Sequence, residues 1–356
     1  MRLERIELEN FRSYGKQTFH FGQLTVIVAP NGRGKTNLLE AISLLSTGDS
    51  SRANLTEEMI AWDKELASVT GIVDLASGDV VALTVVLTRG TLLGKRTQKR
   101  RYLVDGAPRT RGTFTGRLPT VMFRPEDMRL VEGNPGRRRQ YLDDILASAH
   151  PDYARALTAY EASLRRRNRI LDMIREGTAR REQLSYWDLS VVKNGNVLTD
   201  YRRGYLEYLS GVQTAFGQYQ TQYNASTISP ARLTEHAEAE VAVGHTLVGP
   251  HKDDFTIISN PKFSNSQTGA QGKNLMIYGS RGEQRLGVLY LKLGALRYME
   301  EKVKLQPLLL LDDIFSELDE EHRQEVVKMT VGRQAILTSA EEETVELVPG
   351  AEVIRL

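Results

Sequence analysis

The segment Ala29–Thr36, APNGRGKT, constrains the fold of this chain more than any other part of it. It follows the apolar run Leu24–Val28, which is typical of a short buried strand, and the pattern after it predicts a helix from about Thr36. A glycine-rich loop between a strand and a helix is the setting of a phosphate-binding loop, in which backbone N–H groups point at phosphate oxygens. The sequence therefore predicts an α/β fold with a nucleotide site.

The positions of this loop have distinct expected roles. Lys35 is expected to neutralise the charge of the β- and γ-phosphates, and Thr36 to hold Mg²⁺. Ala29 stands where the pattern has glycine, and its Cβ is a small intrusion if the backbone there keeps a negative φ. The residues expected to surround the nucleotide are Pro30, Asn31, Gly32, Arg33, Gly34, Lys35 and Thr36.

A second motif supplies carboxylates. The run Leu308–Leu311 predicts a buried strand, and Asp312 and Asp313 follow it directly. Mg²⁺ needs oxygen ligands and an attacking water needs a base, and a carboxylate pair suits both tasks. A strand that ends in acidic residues is common by itself. The two motifs together, in this order and on matching elements, predict binding of a nucleotide with Mg²⁺.

The segment Ser280–Arg285 (SRGEQR) places a hydroxyl and a glycine at the start of a predicted helix, which is a second potential anion site. A chain with one nucleotide loop has no evident use for another phosphate site unless two copies share nucleotides, so we expect a homodimer. The alternative is an ordinary capping box made by Ser280 and Glu283, and the two interpretations are compatible.

Periodicity divides the chain. Strand and helix alternate near both ends, whereas the middle carries two long amphipathic stripes, one from Arg138 to Ile174 and one from Leu184 to Phe216. We expect the stripes to form an antiparallel helical hairpin inserted into one α/β domain. The expected domains are 1–130, the first part of the head; 131–235, a helical arm; and 236–356, the second part of the head. The polar stretch Ser259–Lys273 predicts a mobile loop.

Charge is unevenly distributed. Residues Arg89–Arg203 contain 25 basic and 13 acidic residues, a net charge of +12, although the whole chain carries only +2. A basic surface makes nucleic acid a candidate partner, and solvated arginines on exposed helices are the alternative. The candidate DNA-binding residues lie in one loop: Lys95, Arg96, Lys99, Arg100 and Arg101.

Composition excludes several classes of protein. The chain has no cysteine, so disulfides, iron–sulfur clusters and thiolate zinc sites are excluded. No apolar run approaches the roughly 18 residues of a membrane span, and the start of the sequence lacks the apolar stretch of a signal peptide. We expect a cytoplasmic protein without a membrane partner.

Several further motifs occur in a fixed order, and with the loop they resemble the ABC-type ATPase heads of the SMC-like class, in particular its bacterial recombination-repair members. The matching segments are Glu9–Tyr14, Ala29–Thr36, Phe123–Asp127, Gly136–Asp143, Gly249–Asp254, Ser280–Arg285 and Leu308–Asp319. The resemblance covers nearly the whole chain. It implies an ABC-type P-loop ATPase head with an inserted helical arm domain.

The resemblance also implies roles for single residues. Asp312 matches the Mg²⁺-associated carboxylate and Asp313 the candidate general base. Ser280 and Gly282 match the signature that reaches the γ-phosphate bound by the partner protomer. Asp319 matches a position at the dimer seam, and Arg12 a position near the nucleotide or the DNA.

The function implied is ATP-dependent dimerisation on double-stranded DNA beside single-stranded gaps, with RecO and RecR, to promote RecA loading. Asp313 stands where most such ATPases have glutamate, and Thr338 and Ser339 stand where transporter ATPases carry a histidine. The shorter base predicts slow ATP hydrolysis, because an ångström-scale misplacement of a catalytic group can cost about a hundredfold. Two alternatives stay open: the ATPase subunit of a transporter, and a structural DNA-binding dimer that binds ATP without hydrolysing it.

Overall fold

The computed structural model describes residues 1–50, 52–75, 78–260 and 272–356. They form two compact units: the first contains Met1–Glu126 and Met299–Leu356, and the second contains Asp127–Tyr298. Within the described residues the strands are β1 (Arg2–Phe11), β2 (Tyr14–His20), β3 (Leu24–Val28), β4 (Leu66–Asp74), β5 (Val80–Thr88), β6 (Thr91–Leu92), β7 (Lys95–Arg96), β8 (Arg100–Val104), β9 (Ala107–Arg109), β10 (Thr120–Phe123), β11 (Gln213–Thr214), β12 (Gly217–Asn224), β13 (Asp254–Ser259), β14 (Lys273–Asn274), β15 (Leu308–Asp312), β16 (Ala335–Ser339) and β17 (Glu352–Arg355).

The α-helices of the described residues are α1 (Lys35–Thr47), α2 (Arg111–Phe114), α3 (Arg129–Glu132), α4 (Pro135–Ala149), α5 (Pro151–Arg175), α6 (Ser185–Ser210), α7 (Pro230–Glu235), α8 (Ala237–Val243), α9 (Leu275–Tyr278), α10 (Arg281–Tyr298) and α11 (Glu320–Thr330). No helix among them is long and apolar enough to cross a membrane.

A parallel sheet in the first unit has the order β10-β15-β16-β3-β17. All its neighbouring strands are parallel, and every residue of β15 is buried. Parallel strands are covered on both faces, so they consist of continuous apolar runs such as Leu308–Leu311. The carboxyl ends of β3, β15 and β16 therefore meet at one edge of the sheet, where the loop Ala29–Gly34 and the Asp312–Asp313 pair follow their strands.

An antiparallel sheet with the order β2-β1-β4-β5-β8-β9 completes the first unit. Burial alternates along β4, as expected for a strand with one face in the core. Its inward side chains, such as Val69 and Val73, belong to the same core cluster as Ile42 and Leu45 of α1. The core thus fixes the position of helix α1, and with it the position of the phosphate loop at the start of that helix.

The second unit contains the predicted helical hairpin. Helices α5 and α6 pack antiparallel, because Ser163 contacts Ser190 and Arg167 contacts Asp188. Pro151 separates α4 from α5, as its missing N–H predicts. Helix α6 ends at Ser210, earlier than the stripe to Phe216 predicted, because Gly211 forms its C-cap and the β11–β12 hairpin begins there.

Buried arginines hold the second unit together. Arg202, which is only 2% exposed, donates to Asp143 at 2.7 Å, to Asp253 at 2.8 Å and to the carbonyl oxygen of Pro250 at 2.7 Å. Arg138 donates to both carboxylate oxygens of Asp254, at 2.6 and 3.0 Å. Two of the segments that carry the resemblance, Gly136–Asp143 and Gly249–Asp254, are therefore joined by charge pairs within one unit.

The structure divides the chain differently from the domains expected from the sequence. By contacts, residues 236–298 lie in the second unit, whereas the domains expected from sequence place 236–356 in the head. Strand β13 pairs with β12, and α10 contacts α6, which explains this division; the functional domain limits stay a prediction. Most of the loop expected at 259–273 lies outside the described residues.

Candidate functional site

The phosphate loop is a tight turn that requires glycine at two positions. Gly32 has φ of 83° and Gly34 has φ of 101°, values that side-chain-bearing residues rarely adopt. Ala29 does not share this conformation, so its Cβ is compatible with the backbone there. The Ala29 N–H donates to the carbonyl oxygen of Ser339 at 3.2 Å, which ties the start of the loop to β16.

Lys35 is buried over the loop. Its Nζ donates to the carbonyl oxygen of Ala29 and, at 3.3 Å, to Oδ1 of Asn31. The ammonium is therefore held against the loop, where an anion on the surrounding N–H groups would meet it. Both partners are neutral oxygens, which an incoming phosphate can replace as acceptors.

Thr36 and Asp312 meet across the edge of the parallel sheet. The Thr36 hydroxyl donates to Oδ1 of Asp312 at 3.1 Å, and the Thr338 hydroxyl donates to the same oxygen at 2.8 Å. Burial raises the pKa of Asp312, and the hydrogen bonds from Thr338 and Thr36 oppose that rise. A buried carboxylate beside a hydroxyl suits a hard cation, because Mg²⁺ is usually bound through one or two carboxylates together with phosphate oxygens and water.

Asp313 lies at the same edge in a left-handed conformation, with φ of 50°. Its N–H donates to the Thr338 hydroxyl at 3.1 Å, so Thr338 fixes the backbone of Asp313 as well as the carboxylate of Asp312. The negative charge of Glu126, which follows β10, is close enough to add to the raised pKa of Asp312. The structure therefore gathers Lys35, Thr36, Asp312 and Asp313 around one sheet edge.

Sequence reasoning missed the residue that supports the loop. The Tyr14 hydroxyl donates to the carbonyl oxygen of Gly34 at 3.1 Å, and a Cβ on Gly34 would lie 2.8 Å from that hydroxyl. Burial raises the pKa of Tyr14 to about 12, so the hydroxyl keeps its proton and remains a donor. The sequence likewise predicted no supporting role for Thr338, which stands where transporter ATPases carry a histidine. Neither role has a local sequence signal, because each partner lies far away along the chain.

Arg12 is engaged by a carboxylate of α1. Its guanidinium donates to the two oxygens of Glu40, at 3.0 and 2.7 Å, and Glu40 also accepts from Arg52 at 3.1 Å. Glu40 is buried. Arg52 is close enough to Asp312 to lower its pKa, although burial is the larger influence. The structure places Arg12 against α1 rather than free in solvent, and its role toward a nucleotide or DNA stays a prediction.

The signature segment lies in the second unit. The Ser280 N–H donates to Glu283 at 2.7 Å and the Glu283 N–H donates to the Ser280 hydroxyl at 3.4 Å, which is the reciprocal pattern of a capping box. Lys273 donates to both oxygens of Glu283, at 2.9 and 2.7 Å. A Cβ on Gly282 would meet nothing within 4 Å, so the start of α10 is open.

Asp319 is the N-cap of α11, and its carboxylate accepts from the His322 N–H at 3.0 Å. It lies in the first unit, as do the phosphate loop and Asp312. This position has a structural role at the start of a helix, and the expected role at a dimer seam stays a prediction.

The basic loop differs from the expectation of a free loop. Arg100 and Arg101 lie in β8, where they pair with Leu87 and Val86. Arg100 donates to Asp49 at 2.5 Å and to the Thr56 hydroxyl at 3.0 Å, and Lys99 donates to Glu57 at 2.8 Å. Lys95, Arg96 and Arg101 are exposed, and within the described residues no ion pair engages them. Only three of the five expected DNA-binding side chains are thus available to a partner.

Comparisons with known proteins identify the family of this chain. The family model described as the RecF/RecN/SMC N terminal domain matches residues 2–355. The DNA replication and repair protein RecF of Heliobacterium modesticaldum is 33% identical over 349 residues, which cover 92% of this chain and 88% of the relative. The protein of the same description from a Cyanothece species is 34% identical, covering 95% of this chain and 91% of the relative.

Solved structures give the same assignment. A structure described as the recombination mediator protein RecF-ATPrS in the RecFOR pathway superimposes with a TM-score of 0.84 and 28% identity, covering 100% of this chain and 96% of that chain. A RecF-ATP structure gives 0.82 and 29% identity, covering 96% and 92%. An Smc head domain from Pyrococcus furiosus, with 18% identity and a TM-score of 0.52 over 97% of this chain and 91% of that chain, shares the fold. By its ABC-type head fold, its ordered motifs and these full-length similarities, the chain belongs to the RecF/RecN/SMC N-terminal domain family, and to the RecF proteins within it.

Proposed function

We propose that this chain is an ATP-dependent DNA-binding protein of recombinational repair, and that two copies join around ATP. The observation that carries the proposal is the hydrogen bond between Thr36 and Asp312, which joins the end of the phosphate loop to the acidic end of β15 at one sheet edge. The relatives described above are RecF proteins, and solved RecF structures named for ATP and for an ATP analogue match nearly the whole chain.

The residues of the site fit ATP and Mg²⁺. Phosphate oxygens would be held by backbone N–H groups of Asn31–Gly34 and of the first turn of α1. Lys35 would exchange its two neutral acceptors, on Ala29 and Asn31, for these phosphate oxygens. Thr36 and Asp312 would hold Mg²⁺, which neutralises phosphate charge when bound. The buried Asp312 carboxylate, with a raised pKa, is itself a reason to expect a cation, because a positive ion favours its charged form.

The second copy would complete the site. Ser280 and Gly282 stand at an open helix start, and the capping box with Glu283 holds Ser280 in place. In the proposed dimer this end of α10 contacts the γ-phosphate held by the partner's loop, and Asp319 lies at the seam. A helix N-terminus favours negative charge, so the triphosphate would act as the link between copies.

Asp313 is the proposed general base, and hydrolysis is proposed to be slow. Its carboxylate is one methylene shorter than the glutamate common in such ATPases, and its backbone is fixed by Thr338. A base that does not reach its optimal position loses rate, so hydrolysis would time the release of the dimer rather than drive rapid turnover.

The proposed DNA partner is a duplex next to a single-stranded gap. Lys95, Arg96 and Arg101 would contact phosphates, with little dependence on sequence. By resemblance to RecF, and from the name of the RecFOR pathway in the matched structures, RecR together with RecO would be partners, and RecA loading the outcome. A cytoplasmic location follows from this role.

The test is the mass of the protein in solution without nucleotide, with ADP and with ATP. Wild type is expected to form dimers with ATP only. Lys35→Ala is expected to remain monomeric and to lose nucleotide binding, whereas Asp313→Asn is expected to persist as a dimer because it holds ATP without releasing it. Lys328→Ala, at an exposed lysine of α11, is the control and should behave as wild type.

Equal dimerisation with ATP, with ADP and with empty sites would contradict the shared-nucleotide mechanism. An Asp313→Asn protein that dimerises with ATP no longer than wild type would instead support a structural dimer that does not hydrolyse ATP. The transporter alternative has no comparable support, because the relatives described above are RecF proteins.

A further inference from the structure

Two large apolar side chains of the first unit are almost fully exposed. Trp62 is 97% exposed and Leu93 is 87% exposed, the highest values among the large apolar side chains of the described residues. A single exposed leucine needs no explanation, but a tryptophan with nearly its whole ring in water loses the burial that usually favours this residue.

The two side chains belong to segments that are bonded together. Arg89 donates from its guanidinium to the carbonyl oxygens of Lys64 at 2.8 Å and Trp62 at 3.1 Å. The Leu93 N–H donates to the Glu65 carboxylate at 3.2 Å. The segment 61–65 is thus fixed against the hairpin β6–β7, so the two segments that carry these apolar side chains lie together.

Leu93 adopts a conformation that a leucine rarely takes. The hairpin has a two-residue turn, Leu93-Gly94, with φ of 50° and 74°. Turns with two positive φ values favour Asn, Asp or Gly at both positions. A leucine there is strained and gains no burial in return, and residual strain of this kind points to a function.

The surroundings are cationic. Residues 89–101 contain six basic residues and no acidic one. Lys95 and Arg96 follow the Leu93-Gly94 turn directly and are exposed. Two acids lie in the facing segment: Asp63 is paired with Lys64 at 3.0 Å, and Glu65 accepts from the Leu93 N–H, so the basic residues still outnumber the acidic ones. An exposed indole and an exposed aliphatic side chain beside free cations match a nucleic acid whose bases are accessible.

We propose that Trp62 and Leu93 form a base-contacting tip that recognises the end of a DNA duplex at a single-stranded gap. Trp62 stacks on an unpaired base, Leu93 presses against the terminal base pair, and Lys95 and Arg96 hold the adjoining phosphates. Aromatic side chains stack on any base, and apolar side chains insert at disrupted base steps, so this contact selects structure rather than sequence. The inference rests on the proposed DNA-binding function and names the residues that would distinguish a gap from intact duplex.

The test measures affinity, with ATP present, for a blunt duplex and for the same duplex carrying a single-stranded gap. We expect Trp62→Ala to weaken binding to the gapped duplex about tenfold, the size of one lost stacking contact, and to leave binding to the blunt duplex unchanged. Trp62→Phe retains a ring and is expected to restore most of the affinity. Val331→Ala, at another exposed apolar residue of the first unit, is the control and should match wild type.

Leu93→Gly separates function from stability. Glycine accepts the positive φ without strain, so this variant is expected to melt at or above the wild-type temperature while binding the gapped duplex several-fold more weakly. The chain has two tryptophans, and Trp187→Phe leaves Trp62 as the only one. In that variant the gapped duplex is expected to quench tryptophan fluorescence, and the blunt duplex to quench it far less.

The outcomes separate the inference from the proposed function. Wild type that binds neither DNA overturns the proposed function and this inference with it. Wild type that prefers the gapped duplex, together with a Trp62→Ala variant that binds it equally well, overturns only the inference. Equal losses on both DNAs would also overturn it, because they would assign Trp62 to backbone contact or to a protein interface.

Discussion

Asp312 combines two requirements that conflict within one residue. Its carboxylate is buried and accepts from two threonine hydroxyls, an arrangement that suits the proposed Mg²⁺ ion, yet burial raises its pKa above the ordinary value of 3.8. An acid whose pKa is raised by folding destabilises the folded state when it ionises. This loss of folding stability is absent below pH 3.8, grows as the pH rises from there through the raised pKa of Asp312, and is complete above that pKa.

Asp312→Asn is therefore expected to stabilise the nucleotide-free protein while preventing Mg²⁺-dependent ATP binding. The amide can still accept from both hydroxyls, and relief at a functional site commonly gains about 1 kcal/mol. Thermal melts at neutral and at acidic pH check this: the advantage over wild type should be largest at neutral pH and should shrink on acidification. A variant that is less stable than wild type at neutral pH contradicts the explanation.

The two loop glycines differ in a way that substitution can measure. Gly34→Ala adds a Cβ 2.8 Å from the Tyr14 hydroxyl at a φ of 101°, whereas Gly32→Ala has a similar φ but meets nothing within 4 Å. Both variants bear backbone strain of about 1 kcal/mol or more, and only Gly34→Ala also displaces Tyr14. We expect a lower melting temperature for Gly34→Ala than for Gly32→Ala; equal values would show that Tyr14 gives way without cost.

At this scale, sequence predicted the residues that define the phosphate loop, because their spacing is local. It did not predict Tyr14 under Gly34 or Thr338 between Asp312 and Asp313, since these contacts depend on how strands are ordered in a sheet. It also assigned Lys99 and Arg100 to a free basic surface, although Glu57 and Asp49 already engage them. Charge can be counted from sequence, but its pairing partners cannot.

Among the helices, α6 carries one buried cation, Arg202. Arg202 contacts Asp143 of α4 and Asp253 before β13, and both carboxylates lose this cationic partner if it is removed. Arg202→Met is expected to destabilise the second unit by about 3–5 kcal/mol, because Asp253 would remain buried and charged. The neighbouring Arg203 is exposed and paired only with Asp200, so Arg203→Met should cost less than about 0.5 kcal/mol.

Urea unfolding followed by the fluorescence of Trp187, which lies in α6, measures both variants in a Trp62→Phe background. If Arg202→Met lowers the free energy of unfolding as little as Arg203→Met does, the buried network relaxes without cost. The removal of Asp253 together with Arg202 gives a further check, because it eliminates the stranded charge and should recover part of the loss.

The helices and strands were largely predictable, because their periods are strong. The bounds of β3 and β15 agree with the apolar runs to within a residue, and Pro151 separates two helices as its chemistry requires. The end of α6 was not predictable, since Val212 and Phe216 continue the apolar spacing beyond the Gly211 cap. Sequence period alone does not reveal where a strand pairing takes over from a helix.

At the scale of the whole molecule, charge yields a prediction about salt. If Lys95 and Arg96 each neutralise one phosphate, Lys95→Ala with Arg96→Ala should weaken duplex binding and should flatten the slope of log affinity against log salt by about two. Affinities measured between low and physiological salt check this. Lys99→Ala, at a lysine already paired with Glu57, is the control with a smaller effect. An unchanged slope would show that the β6–β7 hairpin does not contact DNA.

The assignment of the molecule as a whole depended on the order of its motifs rather than on any one of them. The sequence did not predict which unit contains residues 236–298, because the same strand and helix pattern can complete either unit. In the structure β13 pairs with β12, which places this segment in the second unit. Such pairing between distant segments has no local sequence signal.

The position of β3 has a consequence for the newly made chain. This strand carries the phosphate loop, and both of its neighbours in the sheet, β16 and β17, come from the opposite end of the sequence. A ribosome adding about 5–20 residues per second reaches them roughly 15–60 seconds after β3 has been made. During that interval the central segment can already fold, whereas the ATP cradle has no sheet to rest on. We therefore expect nascent chains neither to trap nucleotide nor to enter the proposed dimer before synthesis is complete.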